Sequence, residues 1–223
     1  MAFISADGHI LLGGFMTNWC CNKLHLTGSA GEIDRLLTTV RGEESLLDFE
    51  KIIPMPGALN VDAGAKSDVA LAVAKGDVSK QLQYLWARWK GITDVAGLCA
   101  YFGNSYEQVL AFGQQLVENV RLHGYPTWLE WSFKHWGTHW NVNGKSDVEL
   151  KRKSPTHAIL HFDTAWDPPV PVVRKLAKMF PALNIRLEYS EPGMGFAGEL
   201  ALASGVEIFH RRQVIEDFDD DAD

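Results

Sequence analysis

Histidines recur at a spacing of four residues in two places, as His135 with His139 and as His157 with His161. Imidazole pairs at this spacing hold transition metals when both rings lie on one helix face and further ligands converge on them. Gly137 interrupts the first pair and predicts a helix end between its members. The second pair lies in an alternating segment, where a strand would separate the two rings by roughly 13 Å. The sequence therefore predicts no metal site and no cofactor.

Acid–base chemistry would need carboxylates close to these histidines. Asp163 and Glu191 stand near the ends of predicted strands, so His139 or His161 with one of these carboxylates could form a general acid and base. No nucleophile signature surrounds any of the three cysteines. A hydrolase or nucleotide-processing enzyme using these four residues is therefore kept as an alternative, and an enzyme is not favoured.

Tryptophan is the most distinctive residue type, with eight in the chain and four of them within 128–140. One interpretation is that these rings pack a helix against a sheet. The other is a partly exposed aromatic platform that holds a protein partner or a stacked base. The partner-binding candidates are His135, Trp136, Trp140 and Trp166.

The formal net charge of −7 argues against a general nucleic-acid binder, because phosphate neutralisation needs clustered Lys and Arg. It favours a protein partner, which could be basic. The three cysteines form no spaced motif, so reduced thiols in a cytoplasmic protein are expected. No segment has the pattern of a signal peptide or a membrane span, so no membrane partner is expected.

Hydrophobic periodicity predicts the order of strands and helices. Period-two alternation predicts strands at 19–26, 46–53, 139–143, 157–163, 185–189, 196–203 and 206–210. Helical periodicity predicts a helix with its apolar stripe on Ile33, Leu36, Leu37 and Val40, a set of helices within 77–136, and a helix that Asp167 caps and Pro168 begins. Residues 57–76 are interpreted as a loop, and 144–154 as a hairpin loop.

Two strand–helix–strand halves that flank a helical insertion predict the fold class. We expect an α+β protein with a ferredoxin-like antiparallel sheet, helices on one face, and the insertion at about 77–136 between the halves. Residues 17–215 are expected to form a single domain. An irregular leader, 1–16, precedes it, and an acidic tail, 216–223, follows.

Several separated motifs over residues 17–200 resemble the YubB-like family of plasmid and phage proteins. They are Asn18-Trp19-Cys20-Cys21-Asn22-Lys23-Leu24, Phe49 with Ile52-Ile53-Pro54-Met55-Pro56, Trp136-Gly137-Thr138-His139-Trp140-Asn141, Thr164-Ala165-Trp166 with Pro168-Pro169, and Tyr189 with Glu191-Pro192-Gly193 and Phe196-Ala197-Gly198. The resemblance implies a ferredoxin-like domain and an accessory protein of a mobile element, and it assigns no activity. A lysine is more usual in the family where His139 stands, which argues against a role requiring that histidine.

These observations favour a non-enzymatic accessory protein of a phage or plasmid that binds a host or element-encoded macromolecule, with counter-defence as one such role. Two alternatives stay open. One is the hydrolase described above. The other is single-stranded nucleic-acid binding on the sheet, which requires Lys23, Arg186 and the aromatic residues to share one open face.

Overall fold

The computed structural model describes residues 3–4, 10–11, 18–142 and 148–215. Of the predicted leader, this part contains two short strands, β1 (Phe3–Ile4) and β2 (Ile10–Leu11), which pair antiparallel. The acidic tail lies outside the described residues. The chain divides into two compact units, which we call the sheet unit (Met1–Pro54 with Phe133–Asp223) and the helical unit (Met55–Ser132). The single domain over 17–215 stays a prediction.

A six-stranded antiparallel sheet forms the sheet unit, in the spatial order β4-β5-β3-β6-β7-β8. The strands are β3 (Trp19–Thr27), β4 (Glu149–Ser154), β5 (His157–Ala165), β6 (Asn184–Glu191), β7 (Phe196–Ala203) and β8 (Val206–Val214). Helix α1 (Ala30–Thr39) follows β3, and α8 (Val170–Met179) joins β5 to β6. The succession β3, α1, β4, β5, α8, β6, with β3 between β5 and β6, is the βαββαβ unit of a ferredoxin-like domain. The predicted fold class is confirmed.

Buried and more exposed side chains alternate strictly along β3, so the strand has a buried face and an outward face. Its inward residues, Cys20, Asn22, Leu24 and Leu26, are at most 2% exposed, as the period-two pattern predicts. Full burial of each leucine is worth about 1.5–3 kcal/mol relative to an exposed side chain. Strand β6 alternates in the same way, and β5 does so except at Ile159 and Ala165, which are buried at outward positions.

The strand predicted at 46–53 is wrong. Phe49–Lys51 forms a 3₁₀ turn, and the Asp48 side chain accepts the backbone N–H of Glu50 at 2.9 Å. Phe49 and Ile52 are both buried, and their spacing of three residues suits a helical turn better than a strand. The second strand of the βαββαβ unit is β4, within the run predicted as a hairpin loop at 144–154. Residues 143–147 of that run lie outside the described residues.

Short helices form the helical unit. They are a 3₁₀ turn (Gly57–Leu59), α2 (Ala65–Lys75), α3 (Ser79–Leu82), α4 (Leu85–Trp89), α5 (Val95–Tyr101) and α6 (Tyr106–His123), and α7 (Trp128–Trp136) follows in the chain. The loop predicted at 57–76 is wrong, because α2 occupies most of it. Its alanine-rich composition gives helix propensity without a strong apolar stripe. None of the described helices has the length and apolar character needed to cross a membrane.

Helix caps in the helical unit follow the sequence more closely than its apolar residues do. Asp94 caps α5, and Ser105 forms a capping box with Gln108 at the start of α6. Val78, Leu82, Leu85, Trp86 and Trp89 have the spacing of one apolar helical stripe, but the chain turns between α3 and α4. As a result, Leu85 and Trp89 are 63% and 62% exposed.

Close packing of α2 on α6 depends on Gly113. A Cβ atom at this position would lie 2.0 Å from the carbonyl oxygen of Ala70 and 2.8 Å from the Cβ of Ala74. A backbone oxygen cannot move without displacing its helix, so no side chain larger than hydrogen fits here.

We therefore expect Gly113→Ala to lower the free energy of unfolding by about 1–3 kcal/mol, measured by urea denaturation followed by circular dichroism. Gly31→Ala in α1 is the matched control, since no atom lies within 4 Å of its added Cβ. The control should gain about 0.5–1 kcal/mol because alanine is the better helix former. Equal stabilities of the two variants would contradict this account of the packing.

Candidate functional site at the aromatic end of the sheet

The start of β3 and the end of β5 lie side by side at one end of the sheet. Trp19 pairs with Ala165 there, and the backbone N–H of Trp166 donates to the carbonyl of Asn18 at 2.8 Å. Trp166 has a φ of 73°, in the left-handed region, so the chain turns away sharply after β5. Strand pairing thus brings two of the tryptophan motifs together.

A side-chain hydrogen bond from Thr138 fixes the third tryptophan motif to this end of the sheet. The fully buried Thr138 donates from Oγ1 to the carbonyl oxygen of Ala165 at 2.7 Å. The Ala165 carbonyl also accepts the backbone N–H of Asp167 at 2.9 Å, so Thr138 and the turn after β5 share this acceptor.

Asn141 anchors the other end of the same segment. Its Nδ2 donates to Asp48 Oδ1 at 2.6 Å, and its Oδ1 accepts the backbone N–H of Phe49 at 2.9 Å. The segment is thus held by side chains instead of a strand ladder. The strand predicted at 139–143 is wrong for its described residues, and Asn143 lies outside them.

Trp136 lies in the interior of the sheet unit. It is 4% exposed, its Nε1 donates to the carbonyl of Ile53 at 2.9 Å, and its ring lies edge-on to Phe49 with 6.0 Å between centroids. Gly137 has a φ of 84° and ends α7 as predicted; a Cβ there would lie 2.6 Å from Pro171 Cδ. The prediction of Trp136 as a partner-binding residue is therefore wrong, because its side chain is used for packing.

Two ring pairs, Trp19 with Trp140 and Phe133 with His139, are linked in the chain by the His139–Trp140 peptide bond, and we call these four residues the aromatic patch. The Trp19 and Trp140 centroids are 6.1 Å apart, and those of Phe133 and His139 are 5.4 Å apart. Trp19 is 38% exposed and Phe133 51%, whereas His139 and Trp140 are half-buried. The other candidates, His135 and Trp166, are also half-buried. Trp19 and Phe133 are absent from the predicted set, although the position of Trp19 on the outward face of β3 was a usable signal.

A buried polar cluster lies behind the patch. Asn22 donates from Nδ2 to the carbonyl of Cys20 and to Thr164 Oγ1, both at 2.8 Å. Thr164 in turn donates to the carbonyl of Asp167 at 2.8 Å. The Asn22–Thr164 bond joins β3 to β5, and the Thr164–Asp167 bond fixes the loop that follows β5, so together they hold this loop against β3. No donor among the described residues reaches Asn22 Oδ1.

Asp167 forms an ion pair instead of the predicted helix cap. Its Oδ1 lies 3.0 Å from Arg212 Nη1, and the Arg212 guanidinium carbon lies 3.7 Å from the centre of the Phe196 ring. Helix α8 begins at Val170, and the cap position is held by Pro169 without a side-chain bond. The cap prediction is wrong, and Asp167 instead ties the end of β5 to β8.

The four residues predicted as catalytic candidates do not converge. His161 and Asp163 lie on the outward face of β5, where they alternate with buried residues. Glu191 is 3% exposed on the buried face of β6, and its carboxylate accepts the backbone N–H of Met194. His139 lies in the aromatic patch. A general acid and base within hydrogen-bond reach of one substrate atom is not formed by this set.

The cysteines on β3 are poor nucleophiles in this setting. Burial raises the pKa of the Cys20 thiol to about 12, and the nearby Asp167 and Glu191 carboxylates act in the same direction. Burial also raises the pKa of Cys21, followed by the effect of Asp163. Both thiols stay protonated at neutral pH, whereas attack requires the thiolate.

Comparison with family models agrees with the ferredoxin-like fold. Residues 135–223 match a family model described as a ferredoxin-like domain in Api92-like protein. A crystal structure of a protein Api92 from Yersinia pseudotuberculosis is similar at 14% sequence identity, with 91% of this chain and 100% of that chain covered and a TM-score of 0.48. The comparison with curated proteins found no match. The resemblance to the YubB-like family and the mobile-element origin stay predictions.

Removing the Thr138 hydroxyl tests whether its bond holds the patch segment. We expect Thr138→Val, which keeps the side-chain shape, to lower the free energy of unfolding by about 0.5–1.5 kcal/mol, because one buried hydrogen bond to the Ala165 carbonyl is lost while the bond from the Asp167 N–H remains. The control is Thr39→Val, whose exposed hydroxyl bonds to the carbonyl of Arg35 and is replaceable by water. Chemical denaturation should show a much smaller loss for the control.

The pKa of His139 is lowered by burial, with Asp167 acting weakly in the opposite direction. An unfolded histidine titrates near pH 6.5, so the unfolded chain binds more protons between that pH and the lower folded pKa. Stability should therefore fall as the pH drops through this window, and His139→Gln should flatten the fall in unfolding free energy measured between roughly pH 7 and 5. Parallel curves for the variant and wild type would contradict this role of His139.

Part of the slope should remain in that variant. Burial also lowers the pKa of other histidines, namely His25, His135, His161 and His210.

Proposed function

We propose that this chain is a non-enzymatic accessory protein of a phage or plasmid that binds a protein partner through the aromatic patch. The observation that carries the proposal is the pair of Trp19 and Trp140, whose rings lie 6.1 Å apart with Trp19 38% exposed. Tryptophan is enriched among the few residues that dominate binding energy in protein interfaces.

The backbone that carries the aromatic patch supports this role, because hydrogen bonds hold it in place at two points. Thr138 is bonded to Ala165 immediately before the His139–Trp140 dipeptide, and the Trp166 backbone is bonded to Asn18 immediately before Trp19. Rings fixed before a partner arrives lose little conformational entropy on binding.

Charge favours a partner with basic residues. The whole chain has a formal charge of −7. A Lys or Arg of the partner placed over an exposed tryptophan face would add about 0.5–2 kcal/mol through a cation–π contact. Arg212, the cation near this end of the sheet, is already paired with Asp167.

A binding function also agrees with the separation of the catalytic candidates. His161 and Asp163 lie on one sheet face and Glu191 on the other, with the latter capping a turn. The hydrolase alternative requires these groups to meet in one wet pocket. Nothing in their arrangement favours it.

Single-stranded nucleic-acid binding on the outward sheet face is the second candidate function. Its specific support is the strand register, which places Lys23 and Arg186 on the same outward face of β3 and β6, next to His25. Arg186, however, pairs with Glu188 and Glu199, so a phosphate would have to compete with two carboxylates. This face ranks behind the aromatic patch for that reason.

The test is a quantitative pull-down from bacterial host lysate with wild type, Trp19→Ala and Trp140→Ala. Loss of one interface hot spot of about 2 kcal/mol corresponds to roughly a thirtyfold weaker partner band. Trp89→Ala is the matched control, since Trp89 is 62% exposed in the helical unit, outside the patch. It should retain the partner in full.

Two further arms keep the result interpretable. Phe133→Ala removes a patch ring that is already 51% exposed, and is used if a tryptophan variant shows a lower melting temperature. Nuclease treatment of the lysate should leave the partner bound. Loss of the partner after nuclease, or retention by all patch variants, would refute protein binding by the patch.

A further inference from the structure

Two histidines lie side by side on the outward face of the neighbouring strands β3 and β5. Strand pairing sets His157 opposite Thr27 and His25 opposite Ile159, so the two histidines are diagonal neighbours. Their rings are nearly parallel at 18°, with centroids 5.6 Å apart, and His25 Nδ1 lies 3.4 Å from His157 Nε2. Continuous backbone ladders on both sides of β3 fix the positions from which both rings project.

The distance between the two nitrogens suits metal ligation. Two zinc–nitrogen bonds of about 2.0–2.1 Å at a tetrahedral angle separate their nitrogens by about 3.3–3.4 Å. The observed 3.4 Å equals this spacing, and it is also the length of a weak hydrogen bond between the two rings in the absence of an ion.

Glu188 stands where an outer carboxylate supports a metal-binding histidine. Its Oε2 lies 3.5 Å from His25 Nε2, on the side of the ring away from His157, and in the described part of the chain this buried nitrogen makes no hydrogen bond. A carboxylate there favours the tautomer with its proton on Nε2, which leaves the Nδ1 lone pair directed at His157.

The surrounding charges and space tolerate a cation. Arg186 is paired with both Glu188 and Glu199, its Nε lying 3.3 Å from Glu199 Oε1, so these three groups together are negative. Lys23 and His161 lie on the far side of His25 along the strands. An open cleft of about 540 Å³ adjoins the pair and has room for metal-bound water.

We propose that His25 and His157 bind one divalent transition-metal ion of the zinc, copper or nickel class. Imidazole nitrogen is a preferred ligand for these ions. Across residues 18–142 and 148–215, no three or more His, Cys, Asp or Glu side chains are grouped to hold a metal, so water fills the remaining positions. The site is thus a two-ligand centre with open coordination positions on an exposed sheet face.

The first test is calorimetric titration of the full chain with zinc chloride at neutral pH. Wild type should bind one ion, and Glu188→Gln should bind at least about tenfold more weakly, as outer carboxylates of metal-bound histidines do. His157→Phe keeps a ring stacked on His25 and removes the nitrogen, so it separates ligation from packing. It should weaken binding more than Glu188→Gln does.

Controls on the same face identify the site. His161→Ala and Cys21→Ser should bind zinc as wild type does, and magnesium chloride should give no heat at this site because Mg²⁺ prefers oxygen ligands. With Cu²⁺, electron paramagnetic resonance should show coupling to two nitrogens in wild type and to one in His157→Phe. Wild-type zinc affinity in His157→Phe, or no nitrogen coupling in wild type, would overturn the proposal.

Discussion

The pairing of β3 with two neighbours is the constraint on which the rest of the structure depends. β3 pairs with β5 over its whole length and with β6 over most of it, so its register sets which residues lie on each sheet face. The inward side chains then enter the core, and the outward ones, from Trp19 at one end to His25 near the other, line the exposed face. A shift of one residue would exchange the two sets and bury Lys23.

Polar side chains are buried at the aromatic end of the sheet, and close packing lets them reach their hydrogen-bond partners. Tyr189 lies beside Asn22 and extends across β7, so that its hydroxyl reaches His210 Nε2 on β8 at 2.8 Å. This path is open only because Gly198 lies beneath it; a Cβ there would be 2.3 Å from the Tyr189 ring. Glycine lowers the intrinsic strand propensity of β7. It leaves room, however, for the hydrogen bond that satisfies the buried Tyr189 hydroxyl.

Local sequence patterns correctly predicted those helices and strands in which the apolar positions of the pattern are also the buried positions of the structure. Strand β3 alternates, α1 has one apolar stripe, and Ser105 with Gln108 forms a capping box, so each was predictable within a short window. Strand β4 was not, because Glu149–Ser154 is an exposed edge strand and shows no alternation. The patch was half predictable, since the meeting of Trp19 with Trp140 depends on the Thr138 bond to a carbonyl 27 residues away.

The distribution of reactive groups is the reason that we propose a binding function. Glu191 and Cys20 are buried and serve turn capping and packing, and Asp167 is held by Arg212. Among the described residues, the surface carries the rings of Trp19 and Trp140 at one end of β3. Near the other end it carries the imidazoles of His25 and His157. Six residues of strand place Trp19 and His25 about 20 Å apart, beyond direct contact. A protein bound at the patch and an ion bound at the histidines would therefore occupy separate places on one rigid strand, each open to test without the other.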